Sequence, residues 1–259
     1  MSGCAYMKRH RAWLACLALA MPCIGTAQDA LPMTHHDESS PAMQNMDMND
    51  NASYGMLLVD QLEFAHGYGG NGPMWEAEAW YGNDSDKLWL RSEGEGSREQ
   101  IEQGDLEALW SHALSAFWNT ELGVRHDLGV GPQRNWAAFG VEGLAPYWLE
   151  LEATGYLSNE GRVAARMRAE YTLRFTQRLM LQPEFEINLY SKSDPAQRIG
   201  SVVSDTQLGL RLRYEITRQF APYVGVVWSR RFGTTAAFAR MDREPVFDRQ
   251  FVAGIRFWF

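Results

Sequence analysis

The chain has 259 residues, with 24 Lys and Arg against 32 Asp and Glu, a formal net charge of −8, 46% hydrophobic and 22% charged residues. So acidic a chain disfavours nucleic acid as a partner. Its mean hydropathy of −0.35, with no later apolar run to match residues 12–25, excludes a bundle of membrane-spanning helices. Yet its 12 Phe, 10 Tyr and 10 Trp are many for a chain this hydrophilic on average.

The first predicted element is an export leader, residues 1–27. Lys8, Arg9 and Arg11 precede the apolar residues 12–25, and Gly25, Thr26 and Ala27 form a small-x-small cleavage site. The apolar core is too short for a spanning helix. A retained anchor is the alternative, and a lipoprotein reading through Cys16 or Cys23 lacks a good lipobox. Without the leader, 21 basic residues face 32 acidic ones, a net −11. Cys4, Cys16 and Cys23 leave with it, so the mature protein is expected to hold neither disulfide nor thiolate.

Residues 28–55 show no helical or strand period and are rich in Asp, Asn, Ser and Pro, which predicts a flexible tail. Met33, Met43, Met46, Met48 and Met56 lie in or beside it, with the pair His35 and His36. These Met line no helix or strand face. Thioethers select Cu(I), and imidazole suits copper in either oxidation state. Thioethers carry no proton, so such binding resists mild acidity. The tail is therefore a candidate copper ligand set, the alternative being a linker that happens to contain Met.

Residues 56–259 alternate with period two. One face of residues 162–175 is Val163, Ala165, Met167, Ala169, Tyr171, Leu173 and Phe175, and the other is Arg162, Arg166, Arg168, Glu170 and Arg174. Twelve strands are predicted: 56–64, 74–82, 87–94, 106–114, 118–126, 135–143, 147–157, 162–175, 179–190, 204–216, 222–231 and 247–259. Most exceed the five or six residues of soluble sheets and match a tilted membrane crossing of about 9–11. The connections alternate between a mostly long set (65–73, 95–105, 127–134, 158–161, 191–203, 232–246) and a short set, with both termini on the short-turn side. That pattern predicts an all-β, antiparallel, up-and-down transmembrane barrel in the bacterial outer membrane, termini periplasmic.

Tyr81, Trp89, Trp110, Trp118, Tyr147, Trp148, Tyr223, Trp228 and Phe259 fall near strand ends and are expected in the interfacial girdles. A soluble lipocalin-like barrel would instead turn the apolar face inward, and periodicity alone does not separate the two. The polar faces are expected to meet in the lumen. There Arg91, Arg125, Arg166, Arg168, Arg174, Arg211, Arg213 and Arg256 would pair with carboxylates such as Glu76, Glu78, Glu93, Glu121, Glu184 and Glu186. A narrow, acid-biased cation path is the functional alternative.

Four stretches carry a family resemblance: WEAEAWYGNDSDKLWLRSEGEG (75–96), RNWAAFGVEGLAPYWLELEATGYLSNEG (134–161), the long run AEYTLRFTQRLMLQPEFEINLY and onward (169–226), and FVAGIRFWF (251–259). They resemble the copper resistance protein B family of outer-membrane proteins. The resemblance covers nearly all of residues 57–259. It implies an outer-membrane barrel acting in periplasmic copper tolerance beside a multicopper oxidase, with copper as cargo and a Met/His-rich tail. Residues 33–48 fit such a tail, although it is sparse.

Further candidate ligands are His66, His112 and His126, each solitary in sequence. No GxSxG, HExxH or P-loop signature is present. A barrel phospholipase is the enzyme rival, but Ser111 and His112 are strand neighbours and must point to opposite faces. The expected function is copper capture by the tail, with sequestration or export through the barrel. A general small-solute porin is the alternative.

Overall fold

The computed structural model describes residues 52–97 and 100–259. The expected leader, and the tail up to residue 51, fall outside the described residues. The strands are β1 (Tyr54–Gly67), β2 (Gly70–Gly82), β3 (Asp86–Gly96), β4 (Ile101–Ala113), β5 (Trp118–Gly129), β6 (Asn135–Ala145), β7 (Leu149–Ser158), β8 (Val163–Glu170), β9 (Leu173–Arg174), β10 (Leu179–Tyr190), β11 (Val202–Tyr214), β12 (Phe220–Arg231) and β13 (Phe247–Trp258). The two-residue β9 continues the wall position of β8 after a break at Tyr171 and Thr172, and both pair with β10. The wall therefore has twelve positions.

Every neighbour pair is antiparallel and follows chain order, and β1 pairs with β13 to close the sheet. Backbone bonds between Leu57 and Phe259 extend that seam in both directions, at 3.1 and 2.9 Å. Closure leaves no open edge, the condition for backbone to cross lipid. No described helix is long and apolar enough to cross a membrane, so crossing falls to the strands.

The alternation resolves outward-apolar. Leu57, Phe64, Leu90, Val124, Phe139 and Phe251 are exposed on the outer wall, while Glu63, Arg91, Glu121, Glu186 and Arg211 are buried inside. The lipocalin-like inversion is thereby excluded. In β1 the register shifts between Val59 and Gln61. The bulge turns two consecutive polar side chains, Asp60 and Gln61, into the lumen and restores Leu62 and Phe64 to the outside.

Three expectations are corrected. The first three connections read as long (65–73, 95–105 and 127–134) are short, because the strands run further than expected, while 158–161 is the short exception in the sequence too. Tyr68 and Gly69 alone join β1 to β2, whose ladder continues to Gly67 opposite Gly70. Glycine-rich sequence looked like loop, but its backbone goes on pairing into the hairpin, and Gly70 supplies the φ of 147° the turn needs. Only 191–201 and 232–246 stay long. Second, the connection 232–246 contains a helix, α1 (Gly233–Met241). Its nine residues, rich in Ala, are too few for a clear period in sequence. Third, Trp89 and Tyr223 do not join a girdle. Both are buried in the lumen, where the Trp89 ring lies 4.9 Å from the Arg91 guanidinium and the Tyr223 hydroxyl donates to Glu63 at 2.9 Å. Their polar handles and ring faces find charged partners inside that lipid does not offer.

Candidate functional site

The lumen is the chemically distinctive region. Fifteen carboxylate side chains and eight guanidiniums are buried among the described residues, so acid outnumbers base inside the barrel and its mouth. Isolated buried charges are prohibitively costly, and pairing with further hydrogen bonds is what makes them tolerable. The pairs form three groups.

Near the short-turn end, Arg91 on β3 grips Glu121 on β5 through two bonds of 2.6 and 2.9 Å and also reaches Glu142 on β6 at 3.1 Å. At mid-barrel, Arg168 on β8 donates to Glu186 at 2.8 Å, with Glu152 and Glu184 at 3.8 Å and Glu93 at 4.0 Å. Arg166, two residues before it, reaches Glu93 on β3 at 2.8 Å. β3 and β8 stand five positions apart round the wall, so this ion pair bridges the bore itself. Two wall positions from β8, Arg211 on β11 holds Glu63 at 2.9 Å, Gln61 at 3.2 Å and Glu184 at 3.6 Å. Arg256 on β13 pairs with Asp60 beside it. Glu76 is buried among the charges of Arg168, Glu93 and Glu184, and neither of its oxygens has a hydrogen-bond partner among the described residues.

Toward the loop end the packing loosens into two cavities, of about 260 Å³ and about 190 Å³. Glu95, Glu102 and Arg231 line both. The mouth above is covered by the 191–201 connection and α1. Thr235 of α1 accepts the Gly200 amide at 2.7 Å and hydrogen-bonds Ser204 at 2.9 Å. Asp194 pairs with Arg134 and, at 3.4 Å, with Arg162, tying this connection to its two neighbours.

The sequence-predicted ligands are not brought together by the barrel. Met33, His35, His36, Met43, Met46 and Met48 lie outside the described residues. Met56 is half-buried near the start of β1. His66 stands exposed at the loop end of β1, on the outer wall with Phe64. His112 lies on the outer wall at the other end, its Nδ1 2.8 Å from Asp86 and its ring against Trp110. His126 is on the outer wall of β5, 2.7 Å from the Asn135 side-chain oxygen. Among the described residues no three His, Cys, Asp or Glu side chains converge as metal ligands. Ser111 is buried inside and His112 faces outward, so the two do not form a catalytic pair.

Sequence reasoning placed the lumenal Arg and Glu on the correct face. It missed Asp60, Glu63, Asp105, Glu107 and Tyr156, whose hydroxyl donates to Glu107 at 2.9 Å. The alternation through β4 (D-L-E-A-L) carried a signal for Asp105 and Glu107. Nothing local marked Asp60, because the bulge breaks the period there.

The chain matches the family model "Copper resistance protein B precursor (CopB)" over residues 53–259. It is 44% identical over 212 residues to a copper resistance protein B homolog of Pseudomonas syringae pv. tomato, covering 82% of this chain and 72% of that protein. It is 41% identical over 230 residues to copper resistance protein B of Escherichia coli, covering 88% and 78%. In fold it is similar to a crystal structure of the NanC porin, with a TM-score of 0.53 at 12% identity, covering 78% of this chain and 98% of that one. That last likeness concerns the barrel alone. A family model spanning the whole wall, with relatives this similar over most of their length, places the chain in the copper resistance protein B family.

Proposed function

We propose that the chain serves copper resistance at the outer membrane by capturing copper, most simply Cu(I), on a periplasmic Met/His tail and holding it at the envelope. Met33, His35, His36, Met43, Met46 and Met48 are the donors, with Met56 at the point where the tail enters the wall. The soft donor set suits Cu(I), and the family supports copper as the ion. The ion pair from Arg166 to Glu93 across the bore carries the preference for holding over free passage. A bore crossed by paired side chains also counts against a general small-solute porin. Copper export is the second reading, supported by the surplus of buried carboxylates and by Glu76, which a passing cation would meet without displacing a hydrogen bond. A periplasmic multicopper oxidase is the partner this reading implies.

The test is copper binding and flux in liposomes by the protein with and without residues 28–55. Capture by the tail requires binding to fall when the tail is removed; unchanged binding overturns it. Holding predicts little copper flux, and export predicts flux of copper but not of unrelated solutes. Equal flux of both would leave the porin reading standing.

A further inference from the structure

The arginines of the wall divide unequally. Those buried in the lumen meet carboxylates, and Arg174, opposite inward Met180, stands exposed on the lumenal side. Two others, Arg230 on β12 and Arg249 on β13, are exposed on the outward face, and among the described residues no carboxylate pairs with either guanidinium. No other arginine of the described strands faces outward. Both stand at the loop end, on adjacent strands. Arg230 lies opposite Phe247 and Trp228 lies opposite Arg249. The two arginines are therefore diagonal neighbours on one face, about 7–8 Å apart. Each guanidinium lies over an aromatic ring, Arg230 over Phe232 at 5.3 Å and Arg249 over Phe251 at 5.4 Å.

The carboxylates nearby are committed elsewhere. Asp242 binds Arg198 at 2.9 Å, Glu244 binds Arg231 at 2.6 Å, and Asp248 faces inward beneath the Tyr68 and Gly69 amides. The same connection adds Arg240 and Arg243, both exposed. The local charge toward the membrane is thus positive and unopposed. A cation on the lipid face is costly at the bilayer centre and nearly free at the interface, which suits this position at the strand ends. Guanidinium forks match phosphate oxygens, and two on one face can share a single phosphate.

We propose that Arg230 and Arg249 form a site on the outer wall for the phosphate of an outer-leaflet glycolipid of the lipid A type. Val226 and Phe251, paired with each other one step nearer the bilayer centre on the same face, would lie along its acyl chains while the arginines hold its headgroup. The site rests on the orientation read above, with the long connections outward, and not on copper capture.

The experiment uses the full chain extracted from membranes in mild detergent, with bound lipid read by native mass spectrometry. Wild type is compared with Arg230→Gln/Arg249→Gln and Arg230→Lys/Arg249→Lys, each checked for the folded barrel by heat-dependent gel mobility. Lipid A, phosphatidylglycerol and inorganic phosphate are then titrated separately. Wild type is expected to retain lipid A, and the glutamine pair to lose about tenfold in retention, the scale of one lost charge-assisted contact. The lysine pair should recover part of it, and copper binding should not change. Equal lipid A retention in wild type and the glutamine pair overturns the site. Loss confined to phosphatidylglycerol overturns the outer-leaflet assignment and with it the orientation. Inorganic phosphate competing as well as lipid A reduces the pair to a free-anion site and overturns the lipid.

Discussion

Arg168 is the point at which the lumen is most sensitive. One guanidinium serves four carboxylates, Glu186 at 2.8 Å, Glu152 and Glu184 at 3.8 Å and Glu93 at 4.0 Å. At an effective dielectric of about 20, the contact at 2.8 Å contributes roughly 6 kcal/mol of Coulomb attraction and each of the others roughly 4. Desolvation of the five groups offsets most of this, and breaking a buried pair from one side typically costs about 3–5 kcal/mol net. Arg168→Met is therefore expected to destabilise the barrel by about 3–5 kcal/mol, because it takes the near guanidinium from Glu186 and leaves Glu93 and Glu184 with only Arg166 and Arg211 as cations close by. The sharper test is the double-mutant cycle. Glu186→Gln in the Arg168→Met background removes one stranded charge and should recover about 1–2 kcal/mol, although the same change in wild type is destabilising. The assay is reversible urea unfolding in liposomes, followed by tryptophan fluorescence. Simple addition of the two single-variant losses, or a loss below about 1 kcal/mol for Arg168→Met, would refute the claim that this guanidinium organises the lumen.

Other substitutions separate inside from outside. Trp89→Ala, which empties a buried site against Leu109 and Arg91, should cost about 3–5 kcal/mol, whereas Trp110→Ala on the outer wall, losing a hydrogen bond to Asp86, should cost about 1; equal losses in the same unfolding assay would contradict the inward placement of Trp89. Asp194→Asn keeps the acceptor for the Ala196 amide but loses the charge shared with Arg134 and Arg162. Amide exchange at Ile199 should then quicken by about tenfold, with global stability little changed, and unaltered exchange would show that the mouth is held by something else. Gly123→Ala would drive its methyl into the Ala108 carbonyl, while the same methyl at Gly155 meets only the Phe139 carbonyl at 3.8 Å. The first should cost about 1–3 kcal/mol and the second little, as comparative melting of the two variants would reveal.

The sequence alone was enough to define twelve wall positions, to sort most Arg and Glu side chains onto one face, and to mark the family. Those features are local: alternation is set by the pleat, and strand length can be counted without knowing any partner. Which face is the inside was not local, because a period of two is unchanged when the barrel is turned inside out. Only closure of β1 on β13 decided it, by giving the polar face an enclosed volume and the apolar face none. The same holds for Trp89 and Tyr223, whose aromatic character suggested a girdle until both were seen turned into the lumen, beside Arg91 on the same strand and Glu63 two wall positions away. The bulge at Asp60 and Gln61 reverses the phase of β1 at one residue, and α1 forms only where the mouth offers Gly200 and Ser204 to Thr235. His66, His112 and His126 looked alike as isolated residues, and the tertiary structure separated them on the outer wall. The pairing of Arg211 with Glu63, 148 residues apart, shows why. Strand order brings distant segments of chain to one bore, and the identity of the groups that meet there is a property of the closed wall rather than of any stretch along it.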